Sequence, residues 1–270
     1  MGQVLFIVWR ESVEALLVIG ILNAWMNHNP EGRAGRPWLW GGVIAGFLAA
    51  VLLAIGLFEA SALMSEWQDV FQTVMVLSAA ALIVHMVRWM RLHGRTLKRD
   101  IESGLAAQAE RSNWWGVSLL AGLAVAREGS ETVVFLYGTL SAADGSTLLS
   151  MAGAAAIGFM LALLTFWLLQ LGGKVLNWRL FFRVTEIMLL LLAGALLMSG
   201  VDKLIEMGVL PALVDPVWDS SSLLDDSTAA GGLVASLTGY RAHPALTGLL
   251  SYALFWLGVW FMMYRESRRS

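Results

Sequence analysis

Residues 3–26 read QVLFIVWRESVEALLVIGILNAWM, an apolar run broken near its middle by Arg10, Glu11 and Glu14. A helix that crosses a bilayer needs about 20 mostly apolar residues, and this run is long enough. Placing one charged side chain at mid-bilayer costs at least about 2.5–3.5 kcal/mol on insertion scales. Three such residues in one span therefore demand a use. The arrangement returns within 114–140, where Arg127-Glu128-Gly129-Ser130-Glu131 breaks a second apolar run.

Five more apolar stretches, 38–60, 69–91, 147–171, 183–201 and 244–264, bring the expected spans to seven. None alternates apolar and polar residues as barrel strands do, so the pattern predicts a bundle of helices. Composition agrees. Of 270 residues, 58% are hydrophobic and 14% charged, whereas a soluble domain of this size would carry about 68 charged residues. The mean hydropathy is +0.69. These values exclude an ordinary soluble enzyme. A net charge of −2 excludes a nucleic-acid binder that works by neutralising phosphates. The absence of cysteine excludes disulfides, thiolate metal sites and redox thiols. The first span lacks a basic leader and a small-residue cleavage site, so it reads as a retained span. Phe6 stands where N-myristoylation wants Ser or Thr.

Lys and Arg concentrate on cytoplasmic loops. Arg33, Arg36, Arg88, Arg91, Arg95, Lys98, Arg99, Arg111, Lys174, Arg179, Arg183, Arg265, Arg268 and Arg269 fall on one side, against Lys203 and Arg241 on the other. This asymmetry places the N-terminus outside and the C-terminus in the cytoplasm. Acidic residues run the opposite way: Glu59, Glu66, Asp69, Asp144, Asp202, Glu206, Asp215, Asp219, Asp225 and Asp226 lie on or near the outer face. They form either ordinary solvated loops or a funnel that concentrates cations at the outer mouth. Trp25, Trp38, Trp40, Trp89, Trp114, Trp115 and Trp178 read as interfacial anchors.

Residues three and four apart share a helix face. Glu11 with Glu14, and Glu128 with Glu131, each present two carboxylates on one side, while Arg10 reaches Glu14 and Arg127 reaches Glu131. A salt bridge serving only as glue would need one carboxylate per arginine, not two. The surplus points to a cation that competes with protons for carboxylate oxygens. An all-oxygen donor set suits hard or borderline metals and disfavours copper(I). The two motif spans run in opposite directions, so spans 1–3 and 4–6 form an inverted pair with both motifs near the midplane. Secondary transporters place substrate sites at such repeat interfaces. The predicted fold is an all-α integral membrane protein of seven transmembrane helices. It comprises repeat one (about 1–92), repeat two (about 113–203), an outer loop (about 202–243) and a peripheral seventh helix (about 244–264), all within a single membrane domain, 1–270.

The two Arg-Glu-x-x-Glu motifs, Arg10/Glu11/Glu14 and Arg127/Glu128/Glu131, resemble the hallmark of the oxidase-dependent iron permeases, the fungal ferric and bacterial ferrous types. Trp89-Met90-Arg91, Ala193-Gly194, Gly239-Tyr240 with Pro244, and Trp218-Asp219-Ser220-Ser221 extend the resemblance over nearly the whole chain. It implies a permease of the cytoplasmic (inner) membrane, a transporter rather than an enzyme. Iron would be its substrate, with no permanently bound cofactor. Glu11, Glu14, Glu128 and Glu131 would hold the ion, and Arg10 and Arg127 would offset their charge. Separate periplasmic or surface proteins would oxidise or capture the iron. Ser12 and Gln72 depart from the family's usual Gly and acidic residue. Glu59, Asp69, Gln72 and Asp219 are candidates for the outer mouth. Manganese or lead would suit the same oxygens. An intramembrane lipid-phosphate hydrolase and a salt-bridged membrane scaffold are the other readings, and no histidine accompanies Ser12 or Ser130 to support the first.

His85, Met86 and Met90 in span 3 read as packing residues. Glu186 reads as the local partner of Arg183. The run Leu233–Leu237 in the outer loop reads as a short interfacial helix, and the loop as a lid over the entrance. Segment 93–113 reads as a solvated helix.

Overall fold

A computed structural model of the chain describes residues 2–63, 67–93, 103, 114–142, 148–170 and 178–267. Within these, seven long helices and one short one make up the regular structure, apart from a 3-10 turn at Pro30–Gly35. They are α1 (Gly2–His28), α2 (Arg36–Leu63), α3 (Gln68–His93), α4 (Trp114–Ala142), α5 (Leu148–Gln170), α6 (Trp178–Glu206), α7 (Ala229–Thr238) and α8 (Leu246–Ser267). No strand occurs among the described residues. Glu66, Asp144 and most of the expected solvated helix at 93–113 lie outside them.

Five helical segments are long and apolar enough to cross a membrane: Arg33–Leu63, Gln68–Leu92, Leu149–Gln170, Arg183–Glu206 and Leu246–Arg265. The remaining long helices, α1 and α4, are the two that carry charges at mid-helix. Their lengths, 27 and 29 residues, correspond to about 40 Å at 1.5 Å per residue, enough to span. Apolar side chains cover the outside of the bundle. Ile44, Phe47, Leu48, Leu52 and Ile55 of α2 are exposed, as are Met160, Leu164 and Trp167 of α5 and Leu254, Leu257 and Trp260 of α8. So broad an apolar surface is incompatible with water and suits lipid. This is a multi-pass helical membrane protein.

With no hydrophobic drive between helices in lipid, close packing depends on small residues. The side of α2 that α4 covers is lined by Gly42, Gly46 and Ala50, and the side of α5 that α1 covers by Ala154, Gly158 and Ala162. Both stripes have four-residue spacing. Helix α3 packs against α4 and α6, and α1 also packs against α4. The central cluster at these crossings includes Ile7, Val76, Ile83, Met86, Phe135, Leu189 and Leu196. Helix α8 lies against α6.

The segment between α6 and α8 is tied down. Helix α6 extends to Glu206, past the expected span end. The short helix expected around Leu233–Leu237 is α7, opened by Thr228 Oγ1 accepting from the Gly231 amide at 3.1 Å and closed by Gly239 at φ 78°. A side chain at Gly231 would collide with the Asp225 carbonyl. Tyr240 Oη donates to the Leu224 carbonyl at 2.9 Å and meets Ser220 Oγ at 2.7 Å. Arg241 binds Asp202 at 2.9 Å and Ser199 at 3.1 Å. The Gln3 side chain donates to the Ser236 carbonyl, linking α7 to the start of α1.

Candidate metal centre

The motifs sit on the facing helices α1 and α4. Arg10 and Glu11 are buried, 0% and 1% exposed, and Glu128 is buried as well. Arg10 Nη1 donates to Glu11 Oε1 at 2.6 Å, and Nη2 pairs with Glu14 one turn on. Arg127 Nε donates to Glu131 Oε1 at 3.0 Å and lies 4.0 Å from Glu128 Oε1. Each arginine thus binds the glutamate four residues ahead, as helical spacing allows. Gly129, inside the second motif, brings α2 close, since a Cβ there would lie 2.6 Å from that of Ala50.

Glu11, Glu128 and Glu131 each offer one oxygen within 4.8 Å of the other two. No other group of three His, Cys, Asp or Glu residues comes so close among the described residues. Three of the four motif glutamates therefore converge, and the fourth, Glu14, is drawn toward Arg10. Oε2 of Glu11, of Glu128 and of Glu131 is each buried without a hydrogen-bond partner. Orphaned buried acceptors are rare because they forfeit the hydrogen bonds that water would give. Three together are what a cation would satisfy. Two oxygens bound at about 2.1 Å to one ion stand at most about 4.2 Å apart, so the cluster would have to draw together around an ion.

Helix α3 supplies the surroundings that sequence reasoning missed. Met86 Sδ lies 3.0 Å from Arg10 Nη1 and Met90 Sδ lies 3.6 Å from Nη2. Trp89, expected as an interfacial anchor, lies under the Arg127 guanidinium, 3.9 Å from ring centroid to Cζ. Glu186 of α6 pairs with Arg91 of α3, not with Arg183. A signal was present: Met86, Trp89 and Met90 share one face of α3 by three- and four-residue spacing. Only the fold shows which helix that face meets.

The outer candidates are dispersed. Glu59 and Asp69 are exposed, and Gln72 accepts from Lys203 Nζ at 3.1 Å. Asp219 accepts from the Ser221 hydroxyl at 2.6 Å and amide at 2.9 Å, and pairs with His243 at 3.1 Å. The two Ser221 bonds, aided by His243, hold the Asp219 carboxyl below the usual aspartate range. Ser227 does the same for Asp225. None of these carboxylates joins the buried cluster.

A family model described as the Iron permease FTR1 family matches residues 1–264. The chain belongs to this family. Among FTR1-family relatives, the protein named ferrous iron permease EfeU of Escherichia coli O6:H1 is 27% identical over 269 residues, spanning 95% of this chain and 90% of its own. The Yersinia pestis protein of the same name is 26% identical over 271 residues, spanning 97% and 93%. No solved structure matches the chain.

Proposed function

We propose that this FTR1-family chain imports iron across the cytoplasmic membrane through a site at the α1–α4 crossing. The observation that carries the reading is the set of three buried, unpartnered carboxylate oxygens on Glu11, Glu128 and Glu131. Glu14 supplies a fourth carboxylate within electrostatic reach of Glu131. Arg10 and Arg127 offset the charge of these carboxylates. The relatives' name favours ferrous iron as the substrate. Oxidation or capture of iron falls to separate periplasmic or surface proteins. A divalent ion entering a negative interior gains roughly 4–5 kcal/mol per 100 mV, from about 2.3 per charge, so import needs no phosphate-binding loop.

The seven long helices span the membrane with the N-terminus outside, and α1–α3 and α4–α6 are inverted repeats. Helix pairing supports this. Exchanging α1 with α4, α2 with α5 and α3 with α6 turns the α2–α4 pair into the α5–α1 pair and leaves the α1–α4 and α3–α6 pairs in place, while the α3–α4 pair has no α6–α1 counterpart of similar extent. The links along α3–α6 follow the same rule, since Gln72–Lys203 exchanges approximately with Glu186–Arg91.

The test is uptake of iron, kept reduced by ascorbate, into proteoliposomes. Glu128→Gln and Glu131→Gln are expected to insert normally and lose uptake. Normal uptake by both would sink the mechanism. Competition by manganese and lead in the same assay reads selectivity.

A further inference from the structure

We infer that the two motif arginines do unequal work: Arg10 is a fixed counter-charge, while Arg127 swings off the carboxylates as the ion arrives, and Trp89 is the positioning residue that holds it. This inference rests on the iron-permease reading.

The surroundings of the two guanidiniums differ in every respect that governs mobility. Arg10 is 0% exposed, and both of its terminal nitrogens are occupied, Nη1 by Glu11 and Met86, Nη2 by Glu14 and Met90. Leaving that nest would strand a charge among apolar side chains. The Arg127 side chain is 37% exposed, and its only hydrogen bond among the described residues runs from Nε to Glu131. Its planar face already rests on the Trp89 ring. A guanidinium stacks on an indole without spending its hydrogen-bond donors.

A cation among Glu11, Glu128 and Glu131 would face Arg127 as a like charge beside the carboxylates it needs. Arg127 has one hydrogen bond and a looser 4.0 Å ion pair with Glu128 to give up, and an aromatic face that can carry its charge through the move. Arg10 has no such route. Both arginines are held from one face of α3, through Met86 and Met90 on one side and Trp89 on the other. The exchange that relates the helices would lead one to expect an α6 counterpart of this face. Among the described contacts of Arg10 and Arg127, α3 does both jobs. The asymmetry gives the two halves of the repeat different parts in the cycle.

Full-length wild type, Trp89→Leu, Trp89→Phe and the exposed-site control Trp115→Leu are compared in proteoliposomes, with ferrous iron binding to the detergent-solubilised proteins measured in parallel. Trp89→Leu is expected to lower the maximal uptake rate at least tenfold. Its iron affinity and its melting temperature relative to the control should stay close to wild type. Trp89→Phe, which keeps an aromatic face, should recover most of the rate. Wild-type rate in Trp89→Leu overturns the inference, and so does Trp89→Phe failing as badly as Trp89→Leu, or an equal loss of rate and binding. Should Glu128→Gln and Glu131→Gln transport normally in the same series, the permease site itself is what fails.

Discussion

Gly46 and Gly158 occupy matching places in two different helix pairs. A Cβ on Gly46 would lie 2.5 Å from the Gly122 carbonyl oxygen and 2.9 Å from the Ala126 nitrogen. A Cβ on Gly158 would lie 2.6 Å from the Leu5 carbonyl oxygen and 3.2 Å from the Trp9 nitrogen. In each case the atoms struck belong to the residues five and one before the motif arginine, Arg127 or Arg10. The glycines set how closely α2 approaches α4, and α5 approaches α1, one turn from the carboxylates.

Gly46→Ala and Gly158→Ala should therefore each force a backbone apart, at a cost of about 1–3 kcal/mol, and lower iron uptake along with thermal stability. Gly41, whose added Cβ would meet nothing within 4 Å, is the control. Gly41→Ala should be neutral or stabilise by up to about 1 kcal/mol. Thermal unfolding of the three variants in one detergent checks the order.

The links along α3–α6 differ in kind. Arg91–Glu186 is an ion pair, whereas Lys203 binds the neutral amide of Gln72. Gln72→Glu should convert the second into an ion pair worth about 0–1 kcal/mol, weakening in high salt. Glu186→Gln should destabilise more, since it leaves the partly buried Arg91 without its counter-charge. Melting temperatures at low salt and at 1 M salt separate the two, because a gain in Gln72→Glu that salt leaves untouched would not be electrostatic.

Much of this was legible in the sequence. The recurrence of Arg-Glu-x-x-Glu in two spans anticipated that the motif carboxylates would come together, and four-residue spacing anticipated the Arg10–Glu14 and Arg127–Glu131 pairs. Periodicity reports which residues share a face but not what packs on it. Arg10 is 76 residues from Met86 and 80 from Met90, and Arg91 is 95 from Glu186, so those contacts became visible only with the fold. Glu186 had a local basic neighbour in Arg183, and the nearer partner in sequence was the wrong one in space.

The segment between α6 and α8 offers a pH test. Asp219 is held below the usual aspartate range by Ser221 and His243, so its depressed folded value favours the folded segment above the unfolded value of about 3.9. That contribution is fully present near neutral pH and is lost only as pH falls through the lower folded value. Hydrogen exchange at the Ser221 amide, which bonds Asp219 at 2.9 Å, should show constant protection from pH 7 to about 5 after correction for intrinsic rates. Asp219→Asn should reduce that protection across the whole range. Loss of protection in the wild type already at pH 6 would contradict this assignment to Asp219.

Arg10 and Arg127 should also part in stability. Removing one partner of a buried ion pair costs about 3–5 kcal/mol, because the other charge is left without compensation. Arg10→Ala would leave Glu11 and Glu14 uncompensated beside Glu128 and Glu131, and is expected to abolish accumulation in the membrane or to lower the melting temperature steeply. Arg127→Ala removes a side chain that is 37% exposed and makes one hydrogen bond, to Glu131, so the loss should be smaller than that of Arg10→Ala. Adding Glu11→Gln to Arg10→Ala takes away one stranded charge and should recover part of the stability. The same addition to Arg127→Ala should recover less. Accumulation and unfolding temperature across the four proteins decide the matter, and equal damage from the two arginine substitutions would contradict the difference in burial on which this expectation rests.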